Sequence, residues 1–320
     1  MTSSQKYFLV VADELNISRA AEKLFISQQC LSNHIKRLEE MYDKLLFQRK
    51  PKLTLTHAGQ KLAFTLRQIQ MLENSLEHQL QDMEHGAESV FRIGMHSLRA
   101  QALLPLILPE YKRKYPELRL HIYSNVAREM EQMLLRGQLD LFISHYPVAS
   151  PKIREIHLMN ESLYLIITDN LLEEYFPDIY PNCKEVFNKG VDITDFKDVP
   201  FILHLESSYL HMSIQQLFAK NGIFPKLTIQ TNITEMQSVF SAMNFGASFC
   251  FGTMLHFIRQ HTSTINKINI FPIRDHALSY RVAIVYLEGA YLPLYALDFI
   301  QSAQSVFGRI TAELLPIVGA

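Results

Sequence analysis

Phe8, Val11, Ala12 and Leu15 fall on one helical face, so residues 4–15 read as a short amphipathic helix. Asn16 and Ile17 interrupt it. Ser18 stands where an N-cap belongs, before Arg19-Ala20-Ala21-Glu22-Lys23-Leu24-Phe25. Ser27 is a second N-cap candidate, ahead of a longer helix from Gln28 to about Tyr42. On that helix Leu31, Ile35 and Leu38 recur at steps of four and three, while Gln28, Gln29, Ser32, Asn33, Lys36 and Arg37 take the opposite face. Three short helices with a polar, basic outer face on the last make a helix-turn-helix pattern.

Two strand-like runs follow, Leu45-Leu46-Phe47 and Leu53-Thr54-Leu55, around Gln48, Arg49, Lys50, Pro51 and Lys52. A basic hairpin in this place reads as a wing. Thr56 then caps a long helix from His57 to about His85, closed by Gly86. Leu62, Leu66, Ile69, Glu73, Leu76, Leu80 and Met83 fall at alternating steps of four and three, with Leu72 as the alternative to Glu73. Such a heptad stripe on a thin helix implies a partner helix.

From Val90 the pattern changes to alternating strands and helices. Strands are expected at Val90–Met95, Leu118–Tyr123, Leu139–Ser144 and Leu163–Thr168, with helices at Ala102–Lys114 and Val126–Arg136. A second set follows: strands Phe201–His204, Lys226–Gln230 and Ala247–Phe251, with helices Ser208–Asn221 and Thr234–Asn244. Strands Lys267–Pro272 and Arg281–Leu287 and a helix Tyr291–Thr311 complete the chain. Two such sets in series suggest two α/β lobes. Residues 170–197, with Tyr175, Phe176, Tyr180 and Phe187, read as a long connection in the second lobe carrying at most one short helix.

A chain of 320 residues suggests two or three cores, and 48% hydrophobic with 20% charged residues is a globular composition. Residues 1–60 carry nine basic and six acidic side chains, a net +3, so the rest carries −4 against −1 overall. A mildly basic head on an acidic body suits a DNA-binding end. Cys30, Cys183 and Cys250 form no disulfide framework or zinc spacing, which points to a reducing, cytoplasmic setting. No secretory leader and no apolar run long enough for a membrane span are seen, so no membrane partner is expected.

The segment from Ser18 to Glu39, with Ser18-Arg19-Ala20-Ala21 and Ser27-Gln28-Gln29-Cys30-Leu31-Ser32, resembles the DNA-binding signature of LysR-type transcriptional regulators. Leu46-Phe47-Gln48-Arg49 and Leu55-Thr56-His57-Ala58-Gly59 match its downstream elements. Gln29 and Cys30 depart from it, replacing the usual proline and alanine. Leu104-Pro105, Tyr115-Pro116 and Gly137-Gln138-Leu139-Asp140-Leu141 match elements of the family's sensor region in order. The resemblance implies an N-terminal all-α winged helix-turn-helix (1–58) and a linker and dimerisation helix (59–88). A two-lobed α/β effector domain of the periplasmic-binding-protein-like type II fold then covers 89–320. Lobe I would span about 89–162 and 268–320, and lobe II about 163–267.

On the recognition helix, amides suit base edges because they donate and accept together, and lysine favours guanine. Gln28, Gln29, Ser32, Asn33 and Lys36 are therefore the expected base contacts. Ser18, Ser27, Arg37, Arg49, Lys50 and Lys52 are the expected phosphate contacts, which fix register without reading sequence. A merely solvated helix face or a plain N-cap would look the same in isolation. Small-molecule sites in open α/β folds lie beyond the C-terminal ends of strands. The candidates there are His96, Ser97, Leu98, His145, His204, Glu206, Ser207, Ser208, Asn232, Ile233 and Phe251, each of which has an ordinary loop, cap or packing reading as well.

The expected partners are double-stranded DNA carrying an interrupted inverted repeat, a small-molecule effector, a second copy of the chain in a homodimer or homotetramer, and RNA polymerase. No cofactor and no metal are expected. The competing readings are a cytosolic solute-binding protein, or an enzyme whose helical N-terminus does not bind DNA. No nucleophile elbow, phosphate loop, dinucleotide fingerprint or zinc-protease motif supports catalysis.

Overall fold

The computed structural model describes residues 1–83, 89–145, 152–205, 209–262, 265–274 and 279–318. They form two compact units, one from the N-terminus through the long helix at His57–Met83 and one comprising most of the chain beyond it.

The first unit begins with α1 (Ser3–Glu14), opened by a reciprocal capping box between Thr2 and Gln5 and closed by Leu15 in the left-handed conformation. Helix α2 (Ile17–Lys23) is capped by Asn16, whose side chain accepts from the Arg19 N–H at 3.1 Å. The expected cap, Ser18, is instead inside the helix and accepts from Gln28 Nε2 at 2.8 Å. Asn and Ser cap comparably well, and the residue standing in extended backbone decides. Ser27 does cap α3 (Gln28–Tyr42), accepting from the Cys30 N–H. Leu31, Ile35 and Leu38 are buried against Phe8, Val11, Ala20 and Ala21.

Strands β1 (Phe47–Gln48) and β2 (Thr54–Leu55) pair antiparallel and form the wing. Glu39 on α3 accepts from the backbone N–H groups of Leu46 and Phe47, tying the wing to the recognition helix. Thr56 caps α4 (His57–Met83) by accepting from Gly59 N–H and donates to the Leu45 carbonyl. Position 59 has to be glycine here: a Cβ would lie 2.1 Å from the Leu46 carbonyl oxygen. The first turns of α4 bury Ala63 and Leu66 in the same core.

The second unit opens with β3 (Val90–Met95), α5 (Ser97–Lys114), β4 (Arg119–Tyr123), α6 (Ala127–Leu135), β5 (Leu141–Ser144) and β6 (Ile153–Glu161). Then come β7 (Leu163–Thr168), α7 (Asp169–Tyr175), α8 (Cys183–Phe187), β8 (Pro200–His204), α9 (Tyr209–Lys220), β9 (Lys226–Thr231), α10 (Thr234–Ala242) and β10 (Ser248–Phe251). Helix α11 (Leu255–Thr262), β11 (Ile268–Pro272), β12 (Tyr280–Leu287) and α12 (Leu294–Val318) complete it. One sheet has the order β4-β3-β5-β12-β6, parallel across β4-β3-β5 and antiparallel at β12. A second has β7 between β10 and β11, all antiparallel. The parallel pair β8-β9 reaches it through a bridge from Phe201 to Ala247, just before β10.

Two elements escape the sequence expectations. Strand β6 and helix α11 lie where only connections were expected. The segment 170–197 holds two short helices and a further turn of helix at Ile193–Phe196, where one short helix was expected at most. Its aromatic residues are core: Phe176, Phe187 and Phe196 pack ring on ring, and Phe187 also meets Phe271. The burial of these rings accounts for the ordering of the segment. Helix α5 starts five residues earlier than expected and runs through Pro105 and Pro109.

Candidate nucleic-acid interface and effector site

The apolar stripe of α3 turns its other face outward. Gln28, Gln29, Asn33, Lys36 and Arg37 are exposed, and Ser32 is half-buried beside them. All five expected base-reading side chains therefore lie on one helix whose inner face is fixed by packing. Gln28 is held by Ser18, the link between α2 and α3. Lys36 pairs with Glu40 one turn on at 3.6 Å, a solvent-exposed contact of small worth that a phosphate or base can displace. The expected phosphate contacts Arg37, Arg49, Lys50 and Lys52 are exposed and make no ion pair among the described residues. By contrast Arg19 and Lys23 of α2 both engage Glu14, whose carboxyl they hold below its usual range. Of the basic side chains of this unit that make no ion pair among the described residues, Arg37 lies on α3 and Arg49, Lys50 and Lys52 on the wing, while Lys6, Lys44 and Lys61 lie elsewhere.

In the second unit, the expected effector residues come from the ends of different strands. His96 ends β3 and opens α5 through its backbone, with no side-chain cap bond. Its Nδ1 is buried and has no hydrogen-bond partner among the described residues. Burial lowers the His96 pKa, the Arg99 charge lowers it further, and Glu235 and His204 also act on it from across the sheets. Gln101 on α5 donates to Glu235 on α10 at 3.0 Å, a direct link between the helices that follow β3 and β9. His204 is buried at the end of β8, while Asn232 and Ile233 are exposed ahead of α10. Leu98 and Phe251 are core side chains, 3% and 1% exposed, so they shape the wall rather than offer surface. Glu206, Ser207 and Ser208 lie outside the described residues.

His145, at the end of β5, belongs to a buried charged cluster that sequence reasoning missed. Arg99, in the first turn of α5, and Glu161, the last residue of β6, are 1% and 0% exposed at the side chain and pair at 2.5 Å. The same carboxylate oxygen lies 2.6 Å from His145 Nε2, and Arg99 Nη2 touches that nitrogen too. The other carboxylate oxygen accepts from the Thr253 backbone N–H at 3.0 Å. Burial alone would raise the Glu161 carboxyl, but Arg99 and then His145 outweigh it and hold the group well below the ordinary carboxylate range. Burial and the Arg99 cation push His145 down to about 4, so its ring is neutral at pH 7. The ring also packs on Phe251, with centroids 4.1 Å apart. The cluster is therefore electrically neutral as a whole. Arg99 Nη1 remains buried without a partner among the described residues.

The chain matches two family models, the bacterial regulatory helix-turn-helix protein of the lysR family over residues 3–60 and the LysR substrate binding domain over residues 84–308. It belongs to the LysR family of transcriptional regulators. The family's members are regulators that bind DNA and small-molecule effectors, not enzymes. Among curated relatives, the Hca operon transcriptional activator HcaR of Escherichia coli is 27% identical over 312 residues, 96% of this chain and 98% of HcaR. CzcR of Bacillus thuringiensis is 22% identical over 298 residues, covering 93% of this chain and 94% of CzcR. Among solved structures, full-length CbnR in complex with its target DNA aligns with a TM-score of 0.56 at 18% identity, over 95% of this chain and 98% of CbnR. A full-length OxyR variant from Pseudomonas aeruginosa aligns with a TM-score of 0.64 at 19% identity, over 96% of this chain and 94% of that one. These likenesses carry the shared fold, an N-terminal helix-turn-helix followed by an α/β sensor. No helix among the described residues is long and apolar enough to cross a membrane.

Proposed function

We propose that this regulator reads an interrupted inverted repeat in double-stranded DNA as a homodimer, paired through α4 and assembling further into a homotetramer. In this reading residues 1–58 bind DNA, 59–88 link and dimerise, and 89–320 sense effector in the cytoplasm and alter contact with RNA polymerase. Gln28, Gln29, Ser32, Asn33 and Lys36 touch base edges. Ser18, Ser27, Arg37, Arg49, Lys50 and Lys52 touch phosphates. The observation that carries the reading is the outer face of α3: exposed amides over a buried stripe, flanked by four cations, Arg37, Arg49, Lys50 and Lys52, with no ion pair among the described residues. Exposed Leu72 and Leu76 on α4, 69% and 55% accessible in a single chain, supply the apolar seam a partner helix would cover.

In the sensor, the effector sits at the strand ends near His96, Ser97, His145, His204, Glu206, Ser207, Ser208, Asn232 and Ile233, against walls shaped by Leu98 and Phe251. The buried, unpartnered His96 Nδ1 supports this placement, since a buried polar atom without a partner is destabilising and a ligand can satisfy it. The test is binding of the full chain to the DNA flanking its own gene across a salt series. Gln29→Ala should relax sequence preference by about 1–3 kcal/mol at one base position. Lys50→Ala should weaken all sequences alike and lower the salt slope by about one. Binding no tighter than to random DNA, for this fragment and in a genome-wide fragment selection, would overturn the reading.

A further inference from the structure

A cavity of about 220 Å³ lies away from the strand-end site, between α5, α12 and the turn and helix that follow β10. Its walls are apolar where the helices face each other, at Ala102, Leu106, Val306 and Ile310. Its rim is cationic: Arg259 on α11 and Arg309 on α12 are exposed and make no ion pair among the described residues. Glu313 is the one carboxylate among the described lining residues, so two arginines stand against one anion. Thr253 is part of its lining and is 3% exposed.

We propose that this cavity is a second ligand site, which takes a small organic monoanion with an apolar body of about one ring. The size argues for it, because a cavity of roughly 150 Å³ already accommodates benzene. The extra space here lies under two arginines, whose guanidinium forks suit a carboxylate. The ligand's apolar body rests on Ala102, Leu106, Val306 and Ile310, and its carboxylate pairs with Arg259 and Arg309. The site adjoins the charged cluster through a single residue: the Thr253 backbone N–H holds Glu161, and Glu161 holds Arg99 and His145. A ligand that shifts Thr253 therefore acts on the carboxylate that anchors β6. The inference does not depend on the strand-end effector site.

The test is titration of the full-length protein with 4-fluorobenzoate followed by fluorine NMR. Saturable binding with a Kd of about 1 mM or tighter is expected for a ligand of this size. Arg259→Ala with Arg309→Ala should weaken it about tenfold or more, as should Ala102→Leu, which fills the cavity and leaves the charges in place. The uncharged 4-fluorobenzamide should bind at least about tenfold more weakly. Ser97→Glu, at the strand-end site, should leave binding unchanged. The proposal is overturned if folded protein shows no saturation with 4-fluorobenzoate or hexanoate up to about 10 mM. It is equally overturned if the cavity variants bind as the wild type does, or if Ser97→Glu alone abolishes binding, which places the ligand at the strand ends.

Discussion

Replacing Glu161 by glutamine keeps the shape of the side chain and removes its charge. Arg99 then stays buried as a cation with no anion beside it, since a guanidinium keeps its charge in proteins. His145 does not compensate, because it is neutral. Breaking a buried ion pair from one side destabilises by about 3–5 kcal/mol. The glutamine oxygen still accepts one of the hydrogen bonds that Glu161 takes from Arg99, His145 and Thr253, so the low end of that range, about 3 kcal/mol, is expected. Arg99→Met is milder, because Glu161 left alone responds by taking up a proton. The double variant Arg99→Met with Glu161→Gln should recover about 2 kcal/mol of the glutamine loss, as neutral replacements of buried pairs do.

The two units can unfold separately, so one global transition does not report on this cluster. Hydrogen exchange of peptides from β5, β6 and β10, followed in rising urea, resolves the local stability. Faster exchange confined to these strands in Glu161→Gln, largely reversed in the double variant, is the expected result. A loss below about 1 kcal/mol, or a double variant at least as unstable as the sum of the singles, would refute the argument that Arg99 depends on this carboxylate.

His145 binds a proton more readily in the unfolded chain (pKa 6.5) than in the folded one (about 4), so stability should rise with pH between about 4 and 6.5 and be flat above. The rise is on the order of 3 kcal/mol, and hydrogen exchange of the same β5, β6 and β10 peptides in urea, compared across pH after correction for intrinsic exchange, should show it in the wild type and not in His145→Gln. Gly59→Ala forces a Cβ to 2.1 Å from the Leu46 carbonyl oxygen and should destabilise the N-terminal unit by about 2 kcal/mol. Its control is Gly308→Ala on α12, where nothing lies within 4 Å, which should stabilise by roughly 0.5–1 kcal/mol; thermal melts of both variants decide. Leu72→Glu with Leu76→Glu should turn the proposed homodimer into a monomer in sedimentation, since each leucine covered by a partner helix contributes about 1.5–3 kcal/mol. An unchanged dimer would place the seam elsewhere.

Much of the first unit was legible because its code is local. The spacing of Leu31, Ile35 and Leu38 fixes which face of α3 is buried, and the polar face follows without further information. The misplaced cap of α2 shows the limit: Asn16 and Ser18 are both good caps, and the packing of Ile17 and Ala20 decides between them. Strand β6 stayed hidden because Ile153–Glu161 does not alternate cleanly and carries three charged side chains, Arg154, Glu155 and Glu161, within an edge strand. With it went Glu161, and therefore the cluster. The signal that was available is Arg99, a charge set inside the run Leu98, Leu103, Leu104 and Ile107 that buries one face of α5. An arginine on such a stripe calls for a buried anion, but its partner lies 62 residues away, and sequence spacing does not point to it.

Glu161 is also where the first sheet hands the chain to the second: β6 ends on it, and β7 begins two residues later. Its partners come from both sides, Arg99 and His145 from the elements after β3 and β5, and Thr253 from the turn after β10. A ligand moves a two-state equilibrium only by its difference in affinity for the two states, and moving it from 1:99 to 99:1 takes about 5.5 kcal/mol. Under the proposed effector reading, the unpartnered Arg99 Nη1 and His96 Nδ1 supply much of that difference. Leaving a buried polar atom unsatisfied costs about 1–3 kcal/mol, and more where the group is charged. An acceptor delivered to both atoms in only one arrangement of the sheets gains roughly that amount twice, with the larger share at the guanidinium. Arg99→Met removes the larger share and keeps the fold's apolar contacts. It should therefore weaken the response to effector far more than it weakens DNA binding without effector, and equal losses in both would assign Arg99 to stability alone.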